Sequence, residues 1–159
     1  MKLRRAEEAD LATVTDITRR AYEHYVPILG GEPMPMTEDY APRIAAGEVW
    51  LHEDADVPIA LLVTEDHGDH FHIFSVVVAP EHQSKGIGRE LLALAEEMAR
   101  EIDRPALTLV TNAKMVRNID IYRRFGFAES YRRDHPKRPG WVLVEMEKLL
   151  GAAENRRSA

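Results

Sequence analysis

Apolar residues in the first part of the chain recur at helical spacing. Between residues 7 and 25, Leu11, Val14, Ile17, Thr18, Ala21 and Tyr22 form one stripe, which predicts an amphipathic helix ending near Pro27. The following Ile28-Leu29-Gly30-Gly31-Glu32-Pro33-Met34-Pro35-Met36 reads as a loop, with a short helix over 37–46 after it. The period then changes. Residues 49–53 and 59–64 read as strands joined through Asp54-Ala55-Asp56-Val57-Pro58, a hairpin pattern. Residues 71–79 are almost continuously apolar and rich in β-branched side chains, which predicts a central strand buried on both faces. A strong amphipathic helix follows over 86–102, with Ile87, Leu91, Leu94, Ala95 and Met98 on one face. A strand over 106–111, a helix over 114–125 and two closing strands over 128–133 and 141–147 complete the pattern. The predicted order α-α-β-β-β-α-β-α-β-β implies a mixed sheet with helices on its faces, an α/β (α+β) arrangement.

Length and composition narrow this picture. A chain of 159 residues is the size of one domain, expected over 1–150, with 151–159 as a frayed tail. No apolar run approaches the roughly 18 residues of a membrane span, and the opening Met1-Lys2-Leu3-Arg4-Arg5 lacks a signal peptide's apolar stretch. The expectation is a cytoplasmic protein with no membrane contact. Cysteine is absent, which removes disulfides, thiolate metal sites and cysteine nucleophiles. The 21 Lys and Arg against 27 Asp and Glu, net −6, speak against nucleic acid as a partner. An anionic small ligand stays possible, because a local cluster of donors can act against the overall sign.

Such a cluster is present. The predicted central strand stops at Pro80, a polar turn follows, and a helix begins where Gly86 and Gly88 sit one residue apart. Glycines there let backbone N–H groups approach a ligand closely, and the start of a helix supplies unpaired N–H groups at a positive dipole end. Gln83, Ser84, Lys85 and Arg89 add side-chain donors. A Walker A loop requires its lysine after the glycines, and here Lys85 precedes them. A dinucleotide fingerprint requires a third glycine where Leu91 stands. Two glycines easing a helix start, with nothing bound, is the plain structural alternative.

The segment Val76-x-Val78-x-Pro80, followed by Gln83-Ser84-Lys85-Gly86-Ile87-Gly88, resembles the acetyl-CoA-binding signature Gln/Arg-x-x-Gly-x-Gly/Ala of the GNAT N-acetyltransferases. A second landmark of that family, a tyrosine followed by an aromatic-Gly-aromatic turn, is matched by Tyr122-Arg123-Arg124-Phe125-Gly126-Phe127. The resemblance extends over about 3–149. It implies a mostly antiparallel mixed sheet of about six to seven strands flanked by about four helices. It implies acetyl-CoA as the acyl-donor cosubstrate, with its pyrophosphate on the turn formed by Gln83, Ser84, Lys85, Gly86, Ile87, Gly88 and Arg89. The pantetheine arm would pair with Val76, Val77 and Val78 like an added strand. Tyr122 would be the catalytic acid that protonates the departing thiolate, and Asn118, one turn earlier on the same helix face, a cofactor contact; Asn112 is an equally open candidate. The implied activity is direct acetyl transfer to a primary amine of a small molecule. The alternatives are protein N-terminal or lysine acetylation and a non-catalytic acyl-CoA-binding or sensing module.

The proposed chemistry is plausible on its own terms. A phenol of pKa about 10 and a thiol of about 8.5 are close enough for useful proton donation. Tyr122 equally suits a core stripe with Met115 and Ile119. Residues 71–79 contain no acid to serve as base, so Glu65 and His72 are the nearest groups for a water-relayed proton. His67, His70 and His72 crowd together, but no acidic or cysteine partner completes an evident tetrahedron, so no metal is expected and the cluster reads as a polar turn and strand edge. Arg123, Arg124, Arg132, Arg133, Lys137 and Arg138 read mostly as solvated surface. In the family, the loop between the first two helices covers the acceptor. Tyr25, Met36 and Tyr40 would then bind substrate, or else form a small core beneath that loop. The expected partner is a small-molecule amine or peptide acceptor, with a homodimer left open.

Overall fold

Alternating apolar residues in the first strand pair do produce a hairpin. In the computed structural model, which describes residues 2–151, β2 (Val49–Asp54) and β3 (Val57–Asp66) run antiparallel with Asp54 opposite Val57. Between them Ala55 and Asp56 have φ of 50° and 64°, the left-handed pair that lets a two-residue turn follow the twist of its strands. Ahead of this hairpin lies a strand that the hydrophobic pattern does not announce, β1 (Lys2–Arg5). Three of its four residues are charged, so no alternation marks it; its order comes from antiparallel pairing with β2, Leu3 opposite His52. Arg4 on this strand reaches Asp10 at 2.8 Å and Glu53 at 3.2 Å. Its hydrogen bond holds the Asp10 carboxyl below the usual range.

With β4 (Phe71–Val78), β5 (Ala106–Asn112), β6 (Ala128–Asp134) and β7 (Val142–Leu149), these strands form a seven-stranded sheet in the order β1-β2-β3-β4-β5-β7-β6. The β4–β5 ladder is parallel; the β1–β2, β2–β3, β5–β7 and β6–β7 ladders are antiparallel. Among the described residues, three helices are longer than two turns: α1 (Leu11–Tyr22), α5 (Ile87–Glu101) and α6 (Val116–Phe125). The predicted loop over 28–36 is not irregular throughout. It borders or contains two single turns, α2 (Val26–Leu29) and α3 (Met34–Thr37), with Pro27 and Pro35 in first turns where a missing N–H costs nothing. The helix expected over 37–46 shortens to α4 (Ala41–Ala45). The mixed, mostly antiparallel α/β architecture is as expected; the additions are β1 and the single-turn helices. β4 differs from expectation in burial: its residues alternate buried and half-buried rather than being enclosed on both faces. The tail predicted over 151–159 lies outside the described residues beyond Gly151. Among the described residues, no helix is long and apolar enough to cross a membrane.

The described chain divides into two compact units. One holds the residues up to Thr64 with Phe74–Leu91, the other Glu65–Ile73 with the residues from Leu92 on. In the first, the stripe Val14, Ile17 and Ala21 of α1 joins Tyr40, Leu61 and Val77 in one buried cluster. In the second, Leu107 and Leu109 of β5 and Val144 and Met146 of β7 are buried. Arg104 clasps Asp66 there with two hydrogen bonds of 2.7 and 2.9 Å, and that bonding holds the Asp66 carboxyl at about 2.

Two outcomes are expected. Replacing Ala55 by Asn together with Asp56→Gly should stabilise the protein by about 0.5–1 kcal/mol, because both residues tolerate the left-handed backbone better. Urea unfolding checks this, and an unchanged midpoint would contradict it. Asp66 has a depressed pKa, so its stabilisation is present above about pH 4 and lost as pH falls toward 2. Asp66→Asn should therefore flatten the fall of the thermal midpoint across that window; parallel profiles would contradict it.

Candidate functional site

A strand that ends at a proline and is followed at once by a helix must turn sharply, and the turn here uses left-handed backbone at two positions. After β4, Pro80–His82 forms a 3-10 turn. Gln83 then donates its side-chain N–H to the Val78 carbonyl at 3.1 Å, tying the turn to the strand end. Ser84 and Gly86 have φ of 66° and 81°. The first intrahelical bond of α5 runs from Glu90 N–H to the Gly86 carbonyl at 3.1 Å, so helix geometry gives the N–H groups of Ile87, Gly88 and Arg89 no acceptor within the helix. Gln83, Ser84, Lys85, Gly86 and Arg89 are exposed, Gly88 is half-buried and Ile87 is buried as the anchor of the helix start. A Cβ at Gly86 would meet nothing within 4 Å, so the space above the turn is open. Arg20 of α1 holds the turn by its bonds of 3.0 and 3.1 Å to Glu81. On β4, Val76 and Val78 are half-buried while Val77 faces the core. The ladder to β5 uses residues 71–73, the first three of the strand. All the residues expected to hold a pyrophosphate and pantetheine, Asn118 apart, are thus gathered in the first unit. The donor set suits a diphosphate: an open helix N-terminus with Lys85 and Arg89 beside it.

In the second unit, the other landmark proves to be a helix terminator. Gly126, at φ 112°, follows the last residue of α6. Its N–H donates to the Arg123 carbonyl at 3.0 Å, and the Phe127 N–H donates to the Tyr122 carbonyl at 3.0 Å. This is a Schellman cap, in which the residue after the glycine packs against the one five positions earlier. Tyr122 and Phe127 supply that contact edge-to-face, with centroids 6.1 Å apart. Lys148 Nζ donates to the Phe125 carbonyl at 2.9 Å and crowds Gly126 so closely that a Cβ there would lie 3.1 Å from Lys148 Cε. Tyr122 is half-buried, as is Asn118 one turn before it. Asn112 is buried, and its side-chain oxygen accepts the Lys114 N–H at 2.9 Å, an Asx turn that starts the loop into α6.

The three residues expected at the acceptor fare differently. Tyr25 is half-buried and packs on His24, with ring centroids 4.0 Å apart. Met36 is buried, and Tyr40 is 1% exposed and donates its hydroxyl to the Pro35 carbonyl at 2.6 Å. Burial pushes the Tyr40 phenol up to about 12, against the opposing pull of the Thr18 hydroxyl. Of the two uses open for these side chains, the core one describes Tyr40. Most of the predicted cationic run is neutralised locally. Arg123 and Arg132 share Glu129, Arg124 meets Asp120 at 3.0 Å, and Arg138 lies over the Trp141 ring at 4.3 Å. Glu65 and His72 are bonded within the second unit, to His67 and Thr108 respectively, at 2.8 Å each. Strand order also brings Thr108, Ser130 and Glu145 beside the histidines, an association that spacing along the chain does not reveal. Among the described residues, no three His, Cys, Asp or Glu side chains have metal-holding geometry.

Three comparisons bear on this arrangement. The family model described as "Acetyltransferase (GNAT) family" matches residues 11–127. The L-methionine sulfoximine/L-methionine sulfone acetyltransferase of Salmonella typhimurium is 27% identical over 144 residues, covering 80% of each chain. Among solved structures, yncA from Salmonella typhimurium, a putative acetyltransferase with its cofactor acetyl-CoA, superposes with a TM-score of 0.73 at 24% identity over 95% of this chain and 94% of its own. The ribosomal-protein-S18-alanine N-acetyltransferase from Escherichia coli gives 0.74 at 19% identity over 96% and 95%.

The two glycines of the turn should respond oppositely to alanine. Gly86→Ala forces a Cβ into left-handed backbone and should cost about 1–2 kcal/mol. At Gly88, a Cβ would make only ordinary contact, 3.9 Å from Val78 Cγ2, so Gly88→Ala should be neutral or stabilise by up to ~1 kcal/mol through helix propensity. Equal effects in urea unfolding would contradict the assigned roles.

Proposed function

The chain belongs to the GNAT family of acetyl-CoA-dependent N-acetyltransferases, and from that premise we propose that it acetylates a primary amine of a small-molecule acceptor by direct attack. The observation that carries the acceptor class is the 27% identity, over most of both chains, to an enzyme named for small amino-acid analogues. The likeness to the ribosomal-protein enzyme, at 19% identity, is one of fold and does not bear on the acceptor.

Acetyl-CoA supplies the acetyl group and a thiolate leaving group. The first-turn N–H groups of Ile87, Gly88 and Arg89, with Lys85 and the Arg89 side chain, take its pyrophosphate. Gln83 and Ser84 shape that turn, and Asn118 is a further contact. Val76, Val77 and Val78 offer a strand edge to the pantetheine arm. The acceptor nitrogen forms its bond to the acetyl carbon as the carbon–sulfur bond breaks, and the electron pair leaves on sulfur. Tyr122 donates its phenolic proton to that sulfur, and the proton lost by the amine restores the phenol through solvent. Without cysteine, the chain has no thiol for an acyl-enzyme route. Tyr25, with Met36 beneath the same loop, is the side chain assigned to the acceptor.

Thiol release from acetyl-CoA, measured across small amines, amino acids and peptides, tests this reading. Turnover is expected on amino-acid-like amines. Tyr122→Phe keeps the ring that packs on Phe127, so the Schellman cap survives. Its kcat should fall about 10²-fold, with coenzyme affinity changed less than about twofold. Turnover on peptides alone would favour protein acetylation. Coenzyme binding without turnover on any acceptor would favour a sensing module, and an unchanged kcat would remove Tyr122 from the acid role.

A further inference from the structure

The end of β3, the turn after it and the start of β4 gather three imidazoles in the second unit. His67 and His70 stack with centroids 4.7 Å apart and planes 3° from parallel, and His72 meets His67 edge-on at 5.7 Å. His67 Nε2 lies 2.8 Å from Glu65 Oε1, His70 Nδ1 2.6 Å from Asp69 Oδ1, and His72 Nδ1 2.8 Å from Thr108 Oγ1. The rings line an open cavity of about 340 Å³, within the range of small-molecule sites. Its other walls come from β5, β6 and β7: Thr108, Ser130, Glu145 and the apolar Val110.

No lysine or arginine lines this space; its only lining charges are the carboxylates of Glu65 and Glu145. A carboxylate oxygen accepts more than one hydrogen bond, so both groups can take a ligand N–H beyond their present contacts. Metal-holding geometry is lacking among the described residues, and a carboxylate pair facing an apolar wall suits a cation that carries hydrocarbon. We infer that the cavity binds a protonated aliphatic amine, its ammonium on Glu65, Glu145 and the Thr108 and Ser130 hydroxyls, its alkyl chain against Val110.

The three imidazoles are themselves bonded, to Glu65, Asp69 and Thr108. The groups around the rings are Glu65 and Asp66 from β3, Asp69 from the turn and Glu145 from β7. The nearby cations are each tied to one of these acids: Arg104 to Asp66 at 2.7 Å, and Arg133 of β6 to Glu145 at 3.9 Å.

Calorimetric titration of the full chain with n-butylammonium chloride, with no acetyl-CoA present, tests the site. Saturable one-site binding is expected at pH 8, with n-butanol at the same pH binding at least tenfold more weakly than the amine. Glu65→Gln and Glu145→Gln, both partly exposed positions, should each weaken binding at least fivefold, with an unaltered coenzyme A affinity certifying the fold. Absence of saturable binding, equal binding of the alcohol, or full affinity in both variants would overturn the proposal. It does not rest on acetyl transfer. A chain that acetylates amines but fails this titration loses only the cavity, and one that binds the amine but turns nothing over loses only the catalytic reading.

Discussion

The constraint on which the candidate site depends is a shortage of acceptors at one helix start. A helix cannot satisfy its own first N–H groups, so the first amides of α5 must find their acceptors outside the helix. Ser84 and Gly86 adopt left-handed backbone in the turn before it, and the space beside Gly86 is uncrowded. Buried Ile87 pins the helix below, and the Gln83 bond to the Val78 carbonyl pins the strand end. The turn is therefore held by the Ile87 and Gln83 side chains, and in the proposed function the first N–H groups of α5, with Lys85 and Arg89 beside them, take the diphosphate. An acidic chain can in principle hold a diphosphate this way, because partial charges on aligned amides add to a few local cations against the overall sign.

The second landmark follows a different logic. Tyr122, Gly126 and Phe127 are all explained by the end of α6: the glycine by its φ of 112°, the two rings by the contact that a Schellman cap favours. Tyr122, the acid of the proposed mechanism, packs on Phe127 within that cap. This is why phenylalanine, which keeps the ring and loses only the hydroxyl, separates the structural role from the chemical one.

Much of the fold was legible because local physics and tertiary structure agree. The stripe from Val14 to Ala21 became α1, and the Asp-rich turn after 53 became a two-residue hairpin. The glycine turn was legible for the same reason, since helix start, positive φ and open amides are all local. β1 was not, because Lys-Leu-Arg-Arg has no alternation and gains its structure from β2. The turns at 26–29 and 34–37 were masked by prolines that break helices in their interiors yet suit their first turns. Tyr40 looked like a pocket aromatic because its hydroxyl partner, the Pro35 carbonyl, is a backbone group that no side-chain pattern shows. The histidine cavity depends on β5, β7 and β6 lying in that order, which is a fact of the sheet rather than of any segment.

The central claim is that backbone amides at the start of α5 hold the diphosphate of the cosubstrate. Amide NMR spectra recorded during titration of the full chain with coenzyme A, and separately with pantetheine, test it most directly. The account predicts that coenzyme A binds far more tightly and moves the Ile87, Gly88 and Arg89 amide signals, while pantetheine leaves them in place. Equal affinity for the two ligands, or coenzyme A binding with those three signals unmoved, would contradict it.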